Sequence, residues 1–160
     1  MSQPEPTAQD YFFTGMCYLY GQQGLPKNAD FAVQCLEKAA NAGHVMAQSN
    51  LGCLYKNGVD IKQNYALAKK WLEKSALLGN AESQCGLGHL YENGWGVACD
   101  KAAAFSWYSK AAAQEHAVAQ HNLGVFYLNG IAVAKDVEKA KFWFKKALAN
   151  GDQAAAQYLK

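Results

Sequence analysis

Apolar and polar positions repeat along this chain with a period of about 36 residues. Leu51, Leu87 and Leu123 lie at that interval, and each is followed by glycine. The segments LGCLYKNG, LGHLYENG and LGVFYLNG are therefore copies of one motif. A motif repeated at this period is typical of an array of supersecondary units, whereas a glycine-rich nucleotide loop would normally occur once. The glycines thus indicate architecture and not a phosphate site.

Within each copy, the apolar residues predict two helices. In the first half of one repeat, Ala47, Leu51 and Leu54 fall on one helical face. In the second half, Ala68 and Trp71 do the same. The pattern therefore predicts an all-α chain of about four helix-turn-helix units, with approximate bounds 8–44, 45–80, 81–116 and 117–152 and a C-terminal capping helix over 153–160, all in a single domain, 1–160.

Residues at the ends of the predicted helices also recur. Helix N-caps are expected where Asn and Asp, or His in the same register, precede an apolar run. Gly94 is expected to end a helix, and Gly88 to mark a close approach of two helices. Glu115 replaces a recurring glycine, which predicts local strain. The expected N-caps are Asn64, Asp100, Asp136, His44, Asn80, His116 and Asp152. The recurring tryptophans are expected to fill the space between paired helices, and they are Trp71, Trp107 and Trp143.

The pattern A..QSNLGCLYKNG......NYALAKKWLEKSALLGN and its successors resemble the Sel-1-like repeat, a relative of the tetratricopeptide repeat. The resemblance covers nearly the whole chain. It implies a right-handed superhelical α-solenoid that scaffolds protein complexes, and it implies no fixed ligand. Asp60 and Ala132 depart from the family loop, whose second glycine only Gly96 retains.

The composition of the chain bears on the cellular compartment in which we expect the protein. The N-terminal segment MSQPEPTAQD has no apolar leader and no run reaches membrane-spanning length, so we expect a cytoplasmic protein that does not bind membranes. The five cysteines are out of register. Secreted members of the family pair cysteines across repeat junctions, but those positions hold Ala40 with Gln48 and Ala112 with Gln120 here. We therefore expect unpaired thiols.

Charge argues against nucleic acid. All 15 basic residues are lysines, the formal net charge is only +2, and arginine is absent. Bidentate recognition of bases and phosphates relies heavily on arginine. The basic segment KDVEKAKFWFKK also contains acidic residues, as a solvated outer face would.

Catalytic signatures are missing as well. The sequence contains no G-x-S-x-G, H-E-x-x-H or C-x-x-C, and no serine lies three residues before a lysine. His116 and His121 are five apart, so they do not share a helical face. Cys85 and His89, with Cys53 and His121 on flanking helices, would suit zinc chemically, but ligands from three successive helices converge poorly. We expect no enzyme activity, metal or cofactor.

The first helix of each repeat lines the concave face in the related tetratricopeptide arrangement. This register predicts a weakly charged, partly apolar groove that binds a protein or peptide. The first repeat would add Phe12, Met16, Leu19 and Tyr20. The other candidate residues are Met46, Ser49, Cys53 and Lys56 from the second repeat, Glu82, Cys85, His89 and Glu92 from the third, and Val118, His121, Val125 and Leu128 from the fourth.

A loop ridge is a second candidate surface. Trp95 occupies the position held by Val59 and Ile131 in the neighbouring repeats, and three apolar loop residues would form an exposed stripe. The favoured function is a non-catalytic adaptor. The alternatives are a bacterial immunity or regulatory protein that occludes one toxin or enzyme, and a hydrolase acting on peptidoglycan or β-lactams.

Overall fold

The computed structural model of the protein describes residues 5–160. Within this range the chain forms eight α-helices and a terminal 3₁₀ helix, and it contains no strand. The predicted all-α repeat fold is confirmed. The helices are α1 Ala8–Tyr20, α2 Ala29–Asn41, α3 Val45–Asn57, α4 Tyr65–Leu77, α5 Ala81–Asn93, α6 Lys101–Ala112, α7 Ala117–Asn129 and α8 Val137–Ala149, and the 3₁₀ helix is Gln153–Leu159.

The helices begin at the predicted caps. The carboxylate of Asp100 accepts the backbone N–H of Ala103 at 2.9 Å and so satisfies one of the free donors of α6. His116 caps α7 in the same way, because its Nδ1 accepts the backbone N–H of Ala119 at 3.3 Å. The other predicted caps, Asn64, Asp136, His44, Asn80 and Asp152, also accept a backbone N–H at the start of their helices.

The helix ends follow the sequence as well. Gly94 ends α5 in the left-handed conformation, with φ 70°. Glu115 takes the same kind of conformation after α6, with φ 62°, where the equivalent positions Gly43, Gly79 and Gly151 are glycines. A left-handed residue with a side chain costs about 1–2 kcal/mol, so the predicted strain at Glu115 is present.

The two helices of a repeat approach closely where a glycine faces a large side chain. A Cβ added to Gly88 of α5 would lie only 2.4 Å from Cε1 of Tyr108 on α6. Tyr108 is fully buried. The close approach expected at Gly88 is therefore confirmed, and the contact recurs as Gly15 with Leu36, Gly52 with Leu72 and Gly124 with Phe144.

The role predicted for the recurring tryptophans was wrong in part. Trp71 is 2% exposed, but Trp107 and Trp143 are only partly buried. The residue after each tryptophan points at the glycine of the paired helix, and this is the position that is buried in every repeat. Tyr108, and not Trp107, fills the space between α5 and α6.

The chain divides into two compact units, Met1–Leu78 and Gly79–Lys160. Unit 1 contains α1–α4 and is built on a cluster that includes Leu36, Leu51 and Trp71. Unit 2 contains α5–α8 and the 3₁₀ helix. Its α5–α7 cluster includes Tyr108 and Phe126, and a terminal cluster gathers around α8 and the 3₁₀ helix.

Buried glutamines occupy the repeat junctions where cysteine-rich relatives would carry disulfides. In unit 1 the side-chain amide of Gln48 donates to the carbonyl of Ala40 at 3.0 Å. In unit 2 Gln120 donates to the carbonyl of Ala112 at 3.2 Å. A hydrogen bond thus joins the two positions at each of these junctions, and none of the five cysteines, all of which lie within the described residues, forms a disulfide.

Candidate functional site

In unit 1, the surface formed by the first helices α1 and α3 exposes large side chains. Met46 in the first turn of α3 is 49% exposed, and Tyr20 at the end of α1 is 60% exposed. Cys53 and Lys56 are partly exposed on the same helix as Met46. Four predicted groove residues therefore lie at or near the solvent in this unit.

A shallow depression of about 170 Å³ lies on this surface between the ends of α1 and α3. Tyr20 and Val59 stand at its rim, and Val59 is 61% exposed. The depression combines apolar walls with a thiol and two side-chain amides. Its lining is completed by Leu19, Asn50, Cys53, Leu54 and Asn57.

Three of the predicted groove residues do not reach the surface. Ser49 is 1% exposed, Cys85 3% and Leu19 6%. Ser49 and Cys85 occupy equivalent positions in α3 and α5, where the helix turns towards the interior of its unit. Their assignment to a binding surface is corrected: they belong to the core.

In unit 2, Glu82 forms part of a hydrogen-bonded pair. Nε2 of His116 lies 3.0 Å from the Glu82 carboxylate. Because Nδ1 of this imidazole accepts the backbone N–H of Ala119, the proton of the neutral ring is on Nε2 and is donated to Glu82. Val118, the second residue of α7, is 47% exposed. The cap residue of α7 thus holds the Glu82 carboxylate in place.

A polar network crosses unit 2 beneath the first-helix surface. The hydroxyl of Tyr108 donates to the carboxylate of Glu92 at 2.7 Å, and Lys101 lies 3.8 Å from the other carboxylate oxygen. The amide of Asn122 donates to Nε2 of His89 at 3.0 Å. Burial raises the pKa of the Tyr108 hydroxyl, and the hydrogen bond to Glu92 raises it further. Hydrogen bonds therefore hold the side chains of His89 and Glu92 in place.

The candidate residues at the end of unit 2 are partly covered by the 3₁₀ helix. His121 is hydrogen-bonded through Nδ1 to Asp152, and its ring lies edge-on to Phe144 and Tyr158. Val125 and Leu128 pack against the terminal cluster. These three residues contribute mainly to the end of the core, which leaves Val118 as the exposed apolar candidate of α7.

The loop residues differ from one another. Trp95 is 40% exposed, whereas Ile131 in the same unit packs against the α5–α7 core. The predicted apolar ridge is therefore interrupted in unit 2. Trp95 remains a candidate contact by itself.

The side chains considered as zinc ligands do not gather into one cluster within the described part of the chain. No group of three or more His, Cys, Asp or Glu side chains that could hold an ion occurs within residues 5–160. Cys85 is buried, and His89 turns its Nε2 towards Asn122.

Charge is divided unevenly between the two kinds of helix. Among the first helices α1, α3, α5 and α7, only α3 carries a lysine, Lys56. The second helices carry most of the others, with four lysines on α8 alone. The first-helix surfaces are therefore nearly neutral or weakly acidic, and they offer apolar contact more than electrostatic attraction. None of the helices within the described part of the chain is long and apolar enough to span a membrane.

Sequence reasoning missed two features of the structure. The first is the pair formed by Tyr108 and Glu92; the signal for it was the single tyrosine at a position where the other repeats have leucine or phenylalanine. The second is a larger depression on unit 1, beside Val33. The sequence indicated this depression by a difference at one repeat position, because Val33 stands where the third repeat has Phe105.

The sequence matches the model of the Sel1 repeat family at residues 8–44, 45–80, 81–116 and 117–152. The chain belongs to this family. Sel1-repeat proteins typically mediate protein–protein interactions and are generally non-catalytic scaffolds. No curated protein is similar enough to this chain to count as a match.

Solved structures show the same fold. The protective antigen c5321 of uropathogenic Escherichia coli, which displays an SLR fold, is 33% identical with a TM-score of 0.89; the match covers 95% of this chain and 32% of that one. A Sel1 repeat protein from Oxalobacter formigenes is 31% identical with a TM-score of 0.87, over 96% of this chain and 62% of that one. The predicted α-solenoid class is confirmed.

A third similar structure is cysteine rich protein B of Helicobacter pylori. It is 28% identical with a TM-score of 0.63, and the match covers 78% of this chain and 95% of that one. Against the first two structures, this chain spans only about a third and somewhat under two thirds of their lengths.

Proposed function

We propose that the protein is a non-catalytic cytoplasmic adaptor that binds a protein or an extended peptide on its first-helix surfaces. The observation that carries this proposal is the exposure of Tyr20, Val59 and Met46 on unit 1, two of them at the rim of a shallow depression. Exposed aromatic and apolar side chains with a polar surround are typical of protein contact surfaces.

The hydrogen-bonded side chains of unit 2 support the same function. Glu82 and Glu92 are each held by a neighbour, His116 and Tyr108 respectively. Side chains that are already ordered lose little conformational entropy when a partner binds. These carboxylates would set the orientation of the bound segment, while apolar contacts would supply most of the affinity.

Because the first-helix surfaces are nearly neutral, partner binding should depend little on salt concentration. Binding that depends on lysine clusters weakens strongly as ionic strength rises, because exposed charges are screened. Binding by Tyr20, Met46 and their neighbours should persist when salt is raised, and the partner should be a protein and not a nucleic acid.

Site-specific photo-crosslinking in the organism of origin tests the proposal. A photoreactive amino acid replaces Tyr20 or Met46 in two separate variants, and replaces Lys70 on the exposed side of α4 in a matched control. We expect the first two variants to capture a common protein that is absent from the control. The same proteins at all three positions, or no product at Tyr20 and Met46, would contradict the proposal.

The captured protein also distinguishes the kinds of interaction. A single toxin or enzyme whose activity is blocked by the purified adaptor would assign an immunity or regulatory role. Several proteins of one complex would assign a scaffold. Turnover of peptidoglycan or a β-lactam by the purified chain would contradict the proposal that the protein is non-catalytic.

Trp95 is proposed as an additional contact on unit 2. Because it lies on a loop and is 40% exposed, Trp95→Ala should leave the thermal melt nearly unchanged. It should weaken partner binding by about 2 kcal/mol, as truncation of an interface tryptophan commonly does. Isothermal titration and melting of the same variant check this, and a lower melting temperature with unchanged affinity would assign Trp95 to the packing of its loop.

A further inference from the structure

A second depression, of about 450 Å³, lies on unit 1 between α2 and the loop that follows α3. Its lining combines apolar side chains with a carboxylate and an ammonium group. This site is separate from the first-helix surface, because it is built largely from a second helix and a loop. It is lined by Asp30, Val33, Gln34, Tyr55, Ile61 and Lys62.

Unit 2 contains the same arrangement of helix and loop, but with an aromatic ring in it. Phe105 on α6 is the repeat equivalent of Val33, and Tyr127 is the equivalent of Tyr55. The ring of Phe105 lies edge-on to Tyr127 with centroids 5.7 Å apart, and 6.1 Å from the ring of Phe126. It packs against the core of its own unit.

The other apolar residues that line the depression of unit 1 have apolar equivalents in unit 2. Tyrosine occurs in both, and Ile61 of unit 1 corresponds to Val133 of unit 2. The main change among the apolar residues is that Val33 of unit 1 stands where unit 2 has Phe105, which removes a ring from the wall. Unit 1 thus presents on its surface a space whose counterpart in the same protein is occupied by a phenyl group.

The charged residues at this depression are also peculiar to unit 1. Asp30 and Lys62 correspond to Ala102 and Ala134 in unit 2. Within the described residues neither charge belongs to an ion pair. An acidic and a basic group beside apolar side chains complement a polypeptide segment, whose backbone and flanking side chains supply partners of both kinds.

We propose that this depression binds a phenylalanine or tyrosine side chain of a partner polypeptide, in the position that Phe105 takes within unit 2. Edge-to-face contact with Tyr55 gives the aromatic ring an advantage over an aliphatic side chain. Asp30 and Lys62 bind the polar atoms on either side of the ring. The occupant is thereby a protein segment with an aromatic anchor.

The wild-type protein with labelled methyl groups provides the direct test. N-acetyl-phenylalanine amide is titrated to about 10 mM, since a ligand of this size binds in the millimolar range. We expect the methyl resonances of Val33 and Ile61 to shift with saturation, and N-acetyl-leucine amide to bind at least threefold more weakly. No shift, shifts elsewhere only, or equal binding of the leucine compound would overturn the proposal.

Reciprocal variants supply matched controls. Val33→Phe places a ring in the depression as unit 2 does, so it should weaken probe binding at least tenfold without lowering the melting temperature. Phe105→Val should create a second site, with new shifts at Val133. If Val33→Phe still binds the probe at Ile61, the ring does not occupy the proposed place.

A third pair of variants keeps the test independent of folding and of the adaptor proposal. Asp30→Asn and Lys62→Gln change exposed charges, and they should weaken a capped peptide with an aromatic residue between a lysine and a glutamate severalfold. Unchanged binding would overturn the role of the two charges. Crosslinking at Tyr20 or Met46 reports on the other surface, so either proposal can fail alone.

Discussion

Replacing Gly88 by alanine tests the packing that fixes the two helices of a repeat. An added methyl carbon would lie 2.4, 2.5 and 2.9 Å from three ring atoms of Tyr108, all well inside van der Waals contact. The ring cannot move away easily, because it is fully buried and its hydroxyl is hydrogen-bonded to Glu92 at 2.7 Å. The substitution must therefore displace the helices or force the ring into a strained rotamer.

The magnitude follows from two opposing effects. Glycine to alanine within a helix would by itself stabilise the fold by about 1 kcal/mol. Overpacking of a rigid core costs about 1–3 kcal/mol, and three contacts below 3.0 Å place Gly88→Ala at the upper end. We expect a net loss of about 2 kcal/mol, which lowers the melting temperature of a chain of this length by about 4–8 °C.

Urea denaturation followed by circular dichroism measures this loss, and a second background isolates its cause. With Tyr108→Ala already present, no ring opposes the methyl group, so Gly88→Ala should be neutral or stabilising by up to about 1 kcal/mol. If Gly88→Ala is as stable as the natural chain, or loses the same free energy in both backgrounds, the proposed contact does not determine the packing.

Four further predictions concern stability and thiol chemistry. Glu115→Gly should stabilise the fold by about 0.5–1 kcal/mol by removing a left-handed side-chain residue, and Glu115→Ala should not, as thermal melts of both will show. Gln120→Leu should cost about 1–2 kcal/mol in urea titrations, because it removes the bonds to Ala112 and Asn150. The raised pKa of Tyr108 keeps its hydroxyl protonated in the folded state, whereas the same hydroxyl ionises in the unfolded chain. The free energy of unfolding should therefore fall above about pH 10, by up to about 1.4 kcal/mol per pH unit. Unfolding measurements from pH 9 to 11 check this, and Tyr108→Phe should lack this contribution. Alkylation of the unreduced, denatured protein should label all five cysteines, as mass spectrometry will count, because none of them forms a disulfide. Fewer than four labels would contradict this.

Much of the fold could be predicted because its signals are local and repeated. Caps such as Asp100 and His116 act within three residues of their own position, so a recurring Asn, Asp or His before an apolar run specifies the helix start. Four copies of the pattern make each assignment more secure than any single copy could. The glycine at position 88 was informative for the same reason.

The errors arose where neighbouring apolar residues compete for one place. Trp107 and Tyr108 are adjacent, and periodicity alone does not decide which of them faces the paired helix. Ser49 and Cys85 were predicted to lie on the groove surface but are buried, for a similar reason. A helical position changes from surface to core within about 100°, the angle between consecutive residues.

The depression beside Val33 was missed, because the exchange of phenylalanine for valine at this repeat position changes side-chain volume and leaves the apolar pattern unaltered. Valine and phenylalanine are both apolar and fit the same repeat position. The structure shows Phe105 packed against the core of unit 2 and the equivalent Val33 lining a depression on unit 1.

The most direct measurement of the adaptor account maps the surface that a captured partner covers. The partner is titrated into protein with labelled methyl groups, and the resonances of Met46 and Val59 are followed together with those of the exposed Leu77 on α4. The account predicts that Met46 and Val59 shift at low and at high salt while Leu77 stays unchanged. Shifts confined to Leu77 and the second helices, or lost when salt is raised, would contradict it.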